Sequence, residues 1–193
     1  MTHPHGVADT QVWLVRHGPT EWSRSGRHTS VTDLPLLPDG EEEAAGLALR
    51  LDAERFGLVL TSPRLRARRT AELAGHRDAE VTDDLAEWAY GDYEGLTTPE
   101  IRERVPGWTV WTHPSPGGES ATEVGARLDR VVERARAAGG KTLVFAHGHS
   151  LRVLAARWLG LPPQEGRLFR LDTATVSVLG YERETPVLLR WNS

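Results

Sequence analysis

The sequence contains no cysteine. Disulfides, thiolate nucleophiles and Cys-based zinc sites are thereby excluded, and a reducing compartment is the fitting environment. No run of about 18 apolar residues occurs, the length a helix needs to cross a bilayer. The opening MTHPHGVADT lacks a basic segment followed by an apolar one. A cytoplasmic protein without membrane association is the expectation. An excess of positive charge is missing too, since 23 Lys and Arg face 27 Asp and Glu for a net charge of −4. That balance argues against general nucleic-acid binding, although a local basic pocket would be hidden in the sum. Internal repeats, low-complexity blocks and linkers are also absent.

What remains is a chain of 193 residues, 39% hydrophobic and 26% charged, enough for one sizeable core. A single domain over 1–193 is expected, with a small lid-like region at about 88–118, rich in Trp, Tyr, Gly and Pro. Apolar β-rich segments alternate with longer amphipathic ones, which predicts an α/β protein. The layout is a three-layer α/β/α sandwich around a mostly parallel sheet. QVWLVR, LVLTS (58–62) and TLVFAHG read as buried strands. DGEEEAAGLALRLDAE (39–54) reads as a helix with acidic residues in its opening turns. Pro63 is expected to open a helix through RLRARRTAELA, ESATEVGARLDRVVERARAA (119–138) to form another, and SLRVLAARWLG to start one at Ser150. A short helix is expected near TPEIRERV. ATVSVLGYE and PVLLRW read as edge or antiparallel strands, the last open to pairing with a second chain as a homodimer.

Three strand ends carry the chemistry. One finishes in Arg16-His17-Gly18, one in Ser62 ahead of an arginine-rich helix, and one in His147-Gly148-His149-Ser150. Ligands of open α/β sheets gather at the carboxyl ends of parallel strands, so neighbouring strands would bring these residues into one pocket. Glycine beside each histidine would let the backbone approach a ligand, and a helix N-terminus at Ser150 would offer N–H donors to an anion. The assembly suits phosphate.

LVRHGPTEW resembles the Arg-His-Gly motif of the histidine phosphatase superfamily, of phosphoglycerate mutase-like fold. Four further segments follow in that family's order: TSPRLRARRTAELA, DDLAEWAYGDYEGLT, GGES (117–120) and VFAHGHSLRVLAARWLG. The resemblance spans about 12–160. It implies that His17 is a nucleophile forming a phosphohistidine. Arg16, Arg66 and His147 then match residues that clamp the phosphoryl oxygens, and Glu87 the general acid and base. It implies neither a metal nor a cofactor.

Spacing from Ser62 favours Arg66 among the helix arginines, with Thr70 one turn later on the same face. Arg64 stands where leucine is common and either reaches the pocket or faces water; Arg68 and Arg69 read as solvated. The first loop departs from the family pattern, with Trp22-Ser23 in place of Trp-Asn and GRHTS in place of GRxQG. Thr20, Ser23, Arg27, His28, Thr29, Tyr90 and Gly148 are the candidate substrate contacts, Tyr90 ranking above Trp88, Trp108 and Trp111, which could stack a sugar or nucleobase but read first as core or lid packing. Gly18 is expected to clear space for the phosphoryl group. His149 raises a metal alternative, but only Glu87 is a carboxylate tied to the site, so metal ligation is not expected. MTHPHG reads as a frayed terminus where a metal would bind only adventitiously.

About thirty residues separate Glu87 from Glu119, without the long basic insertion of the family's mutases. Poorer exclusion of water favours hydrolysis, so the expected partner is a small phosphorylated metabolite and the expected activity a phosphomonoesterase of the histidine acid type. The alternatives are a bisphosphoglycerate-dependent phosphoglycerate mutase and a non-catalytic phosphometabolite-binding protein.

Overall fold

The computed structural model describes residues 9–193; the MTHPHG stretch lies outside the described residues. Six strands, β1 (Gln11–Arg16), β2 (Leu58–Thr61), β3 (Glu80–Val81), β4 (Lys141–Ala146), β5 (Val176–Glu182) and β6 (Thr185–Arg190), form one sheet in the order β3-β2-β4-β1-β5-β6. β1, β4, β2 and β3 run parallel, while β5 and β6 pair antiparallel at one side. β5 and β6 thus take the positions expected of ATVSVLGYE and PVLLRW.

Period-two alternation divides the core into two layers. Val12 and Leu14 of β1 join Val144 and Ala146 of β4 on one face. Trp13 and Val15 join Leu143 and Phe145 on the other. Strands covered on both faces need apolar residues at every position, which is why they read as unbroken runs.

The helices, in chain order, are α1 (Glu21–Ser25), α2 (Pro38–Gly46), α3 (Ala48–Leu51), α4 (Leu65–Leu73), α5 (Thr98–Arg102), α6 (Ala121–Ala138) and α7 (Gly148–Trp158). α6 and α7 cover the first face through Val124, Leu128, Val131, Leu151, Leu154 and Trp158. Leu47, Leu51, Ala71 and Ala74, from α2 to α4, cover the second. The result is the three-layer sandwich. α6 starts at a capping box in which Ser120 and Glu123 satisfy each other's backbone N–H, and its buried residues recur at helical spacing. Truncating a fully buried member such as Leu128 to Ala should cost about 2–5 kcal/mol.

The segment 88–118 shares the first core: Trp88, Tyr90, Ile101, Trp108 and Val110 are buried in the same cluster as β1 and α7. No helix among the described residues is long and apolar enough to cross a membrane.

Among the boundaries that differ from expectation, three have a visible cause. The predicted 39–54 helix divides at Leu47, whose N–H reaches Ala44 O at 3.2 Å in a tightened turn, next to the poor helix former Gly46. Pro63 precedes α4 rather than opening it: Arg64 is the N-cap, and Asp33 Oδ1 accepts the Leu65 N–H at 2.8 Å. α7 begins at Gly148, two residues before Ser150, with His147 as its N-cap.

Candidate active site

Parallel register aligns Arg16 with Ala146, and the ladder runs past the strands: His17 N–H donates to Ala146 O at 3.0 Å and Ser62 N–H to Phe145 O at 2.9 Å. The three strand ends therefore converge. The His17 and His147 rings meet with centroids 5.2 Å apart, and His147 Nε2 lies 2.6 Å from Ser62 Oγ.

Nδ1 of His17 is 2.7 Å from Gly18 O. A carbonyl only accepts, so Nδ1 carries the ring proton and Nε2 keeps its lone pair. Burial, then Arg66 and Arg16, hold this imidazole well below its ordinary pKa, so it is neutral at pH 7. Burial and Arg66 likewise keep His147 neutral. Ser62 Oγ accepts the Arg64 N–H at 3.3 Å and shares a hydrogen bond with His147 Nε2. Nδ1 of His147 is buried without a partner among the described residues.

Glu87 is seated on the first turn of α7. Its Oε1 accepts N–H groups from Ser150 at 2.8 Å and Trp88 at 2.9 Å, and Oε2 accepts that of His149 at 3.0 Å. The anion at this helix N-terminus is thus Glu87 itself, where the sequence suggested a phosphoryl group. The bracket behind it is Glu119 of the GGES segment. Glu119 accepts the Ala89 N–H at 2.9 Å and the Trp88 indole N–H through its carbonyl at 2.8 Å. Arg127 grips Glu119 with two bonds and spans to the carbonyls of Asp84 and Ala86, each at 2.8 Å.

Arg66 is 1% exposed. Its guanidinium donates to Thr32 O at 3.1 Å, Thr29 O at 3.0 Å and Ser30 O at 3.3 Å. That loop is shaped from the far side by Glu94, whose Oε1 accepts the N–H groups of Ser30 at 2.8 Å and Thr32 at 3.0 Å. Thr70 ties α4 to the β1 turn, donating to Arg66 O at 2.8 Å and accepting the Gly18 N–H at 3.1 Å. Arg16 donates to Leu171 O at 2.5 Å and lies under Gly148, where an added Cβ would sit 3.4 Å from the guanidinium carbon. Burial lowers both arginines from the usual guanidinium value against the pull of Glu87; both stay cationic at neutral pH. Arg69 is not simply solvated, since it pairs with Glu41 at 2.7 Å and Glu72 at 3.0 Å, whereas Arg68 is exposed.

Gly18 has a different task from the one expected. An added Cβ would meet Gly40 O at 2.5 Å, so its missing side chain admits the α2 backbone.

Arg16, His17 and Glu87 line a cavity of about 360 Å³ together with Thr20, Ser23, Arg27, His28, Thr29, Tyr90 and Gly148. Arg66 and His147 are not on its wall. The Ser23 hydroxyl is occupied, accepting the Thr20 N–H at 2.9 Å and donating to Thr20 O at 3.1 Å. Thr20 Oγ1 accepts the Ser23 N–H and keeps its proton free to donate. Arg27 is held by Gly95 O at 2.6 Å, and Thr29 Oγ1 donates to Arg27 O at 3.0 Å. The rest of the wall includes Arg102, Trp108, Trp111, His149, Arg152 and Leu171. Sequence reasoning placed packing ahead of sugar or nucleobase stacking for the two tryptophans and missed Arg152, whose guanidinium lies 4.7 Å from the Trp111 ring centre. Its place three residues into the helix after His149 was the one available clue. Among the described residues no group of three or more His, Asp or Glu is arranged to hold a metal.

The chain is similar to an acid phosphatase of Mycobacterium tuberculosis, 44% identical over 181 residues that cover 92% of this chain and 89% of that one. A sedoheptulose 1,7-bisphosphatase of Saccharomyces cerevisiae is 39% identical, with 79% of this chain and 68% of that one covered. A Serratia proteamaculans protein named as a probable phosphoglycerate mutase is 31% identical over 94% and 89% of the two chains. A solved structure of a Mycobacterium tuberculosis open reading frame superposes with a TM-score of 0.92 at 41% identity, over 95% of this chain and 97% of that one. The model of the histidine phosphatase superfamily (branch 1) matches residues 12–193. With the sandwich, the convergent strand ends and this match together, the chain belongs to branch 1 of the histidine phosphatase superfamily.

Proposed function

We propose that the protein is a metal-independent phosphomonoesterase that hydrolyses small phosphorylated metabolites through a phosphohistidine on His17. The observation that carries the reading is the fixed tautomer of that imidazole, neutral and with Nε2 unprotonated. Phosphatase-named relatives at 44% and 39% identity support it.

In the first half-reaction the Nε2 lone pair forms a bond to phosphorus as the ester P–O bond breaks, and the departing oxygen takes the proton of the Glu87 carboxyl. The positive charge that grows on the ring is met by Gly18 O, which keeps hold of the Nδ1 proton. In the second half Glu87 takes a proton from water, the water oxygen attacks phosphorus, and the N–P electron pair returns to Nε2. Arg16, Arg66 and the imidazole of His147 are the donors assigned to the phosphoryl oxygens. Glu87 Oε2 accepts one backbone N–H where Oε1 accepts two, which makes Oε2 the oxygen with capacity to spare for the transferred proton.

The test is release of phosphate from an aryl phosphate in the presence of chelator, together with an acid-labile phosphoprotein trapped by rapid quench. His17→Ala should abolish both, and full activity in that variant would reject the scheme. The mutase-named relative supports a second reading, in which the phosphoryl group returns to a bound monophosphoglycerate. Isomer formation faster than phosphate release would select it.

A further inference from the structure

The cavity holds two imidazoles that the proposed chemistry leaves unused. His28 and His149 stand parallel, with ring centroids 6.2 Å apart and planes 6° apart, and both line the wall. Each has its tautomer set by a different partner. His28 Nδ1 is 2.7 Å from Leu96 O, an acceptor only, so it carries the proton and Nε2 is left as an acceptor. His149 Nδ1 is 2.6 Å from the hydroxyl of Tyr90, which is buried and has no other partner among the described residues. We assign the phenol proton to that nitrogen, the one protein acceptor within its reach, because a buried hydroxyl without an acceptor is costly. His149 therefore bears its proton on Nε2 and offers a donor. Neither Nε2 has a protein partner among the described residues.

Two parallel rings thus present one acceptor and one donor from a single wall. A carboxylate or a second phosphate can take the donor but repels the acceptor's lone pair. An ammonium group satisfies only the acceptor. A hydroxyl satisfies both, because it accepts and donates through one oxygen, and a polyol can do so through neighbouring oxygens. The surroundings suit such a ligand: the half-buried Trp111 ring stands edge-on to His149 at 5.2 Å, an apolar surface against which C–H faces of a carbohydrate chain pack, while the buried Trp108 ring backs His28 at 5.2 Å and fixes its plane.

We infer that His28 and His149 form a hydroxyl-recognition pair, so that the preferred substrates are sugar or polyol monophosphates bearing free hydroxyls beyond the esterified carbon. The inference rests on the phosphohydrolase reading of the same cavity. Tyr90 is a positioning residue in it, holding the His149 tautomer.

The experiment compares erythritol 4-phosphate with n-butyl phosphate, which have the same carbon count and differ in hydroxyls. Wild-type kcat/KM should favour the tetritol ester by about tenfold or more, since unpaired polar groups in a built site discriminate strongly. His28→Phe, which keeps an aromatic ring and removes the acceptor, should cut that ratio about tenfold. His28→Gln, whose amide can accept, should restore part of it. Equilibrium binding of the two esters to His17→Ala, read by calorimetry, repeats the comparison without turnover. It separates a failure of the hydrolysis scheme from a failure of the recognition pair. Equal affinities there, or a kcat/KM ratio unmoved by His28→Phe, would overturn the inference.

Discussion

Glu87 accepts the Ser150 N–H at 2.8 Å, so the carboxylate assigned to proton transfer is oriented by the helix that follows the other strand-end histidine, His147. Its position depends on α7 as much as on its own loop.

Glu87→Gln keeps the shape but not the proton. Hydrolysis of alkyl phosphates, which need a protonated leaving group, should fall by about 100-fold or more, while aryl phosphates should slow by less than about tenfold. A steady-state comparison of the two classes decides, and equal slowing would remove Glu87 from the acid role.

Ser62→Ala takes away the hydroxyl that meets His147 Nε2 at 2.6 Å. His147 is fully buried, so one ring nitrogen is left unsatisfied at about 1–3 kcal/mol. Urea unfolding should show the loss, and activity should fall with it because the imidazole is then free to turn. Unchanged stability would mean that the hydroxyl holds nothing.

Gly18→Ala and Gly148→Ala should part company. At Gly18 the new Cβ meets Gly40 O at 2.5 Å, a contact between two backbones that neither can relax, whereas at Gly148 the nearest atom is 3.4 Å away. Expected losses are about 1–3 kcal/mol for the first and under about 0.5 kcal/mol for the second, measured by denaturant midpoints. Equal losses would show that the Gly18–Gly40 approach is not tight.

The β1, β2 and β4 strand ends were legible because a buried apolar run that stops in Arg-His-Gly or His-Gly has few structural motives. The start of α7 was not. Gly148 reads as a helix breaker, and the carboxylate that rewards an earlier start comes from Glu87, 61 positions back in the sequence. Gly18 looked like room for a ligand because Gly40 is distant in the chain. The wall formed by Trp108, Trp111 and Arg152 was hidden for a related reason: 88–118 has little periodic structure, so its aromatics gain direction only from the tertiary packing.

His17, His28, His147 and His149 all have pKa values below the ordinary 6.5, with burial as the largest cause. As pH falls through about 6.5 the unfolded chain gains protons that the native protein refuses, so stability is greatest above that value and declines below it. Each histidine contributes up to about 1.4 kcal/mol per pH unit. Urea midpoints should drop between pH 7.5 and pH 5.5, a window above carboxylate titration. A flat profile would mean that these rings titrate in the folded protein as they do in the unfolded chain.

The Ala174 N–H reaches Arg16 O at 3.1 Å and His17 O at 3.2 Å, while the His17 N–H is held by Ala146. The His17 backbone is thus clamped by the strand on one side and by the approach to β5 on the other, without help from residues 95–113. His149 serves two ends at once, its backbone N–H holding Glu87 Oε2 while its ring lines the cavity. Exchange of residues 95–113 would therefore remodel the Trp108 and Trp111 side of the wall and leave the His17 backbone where it is, whereas a change at His149 would be felt by Glu87 as well.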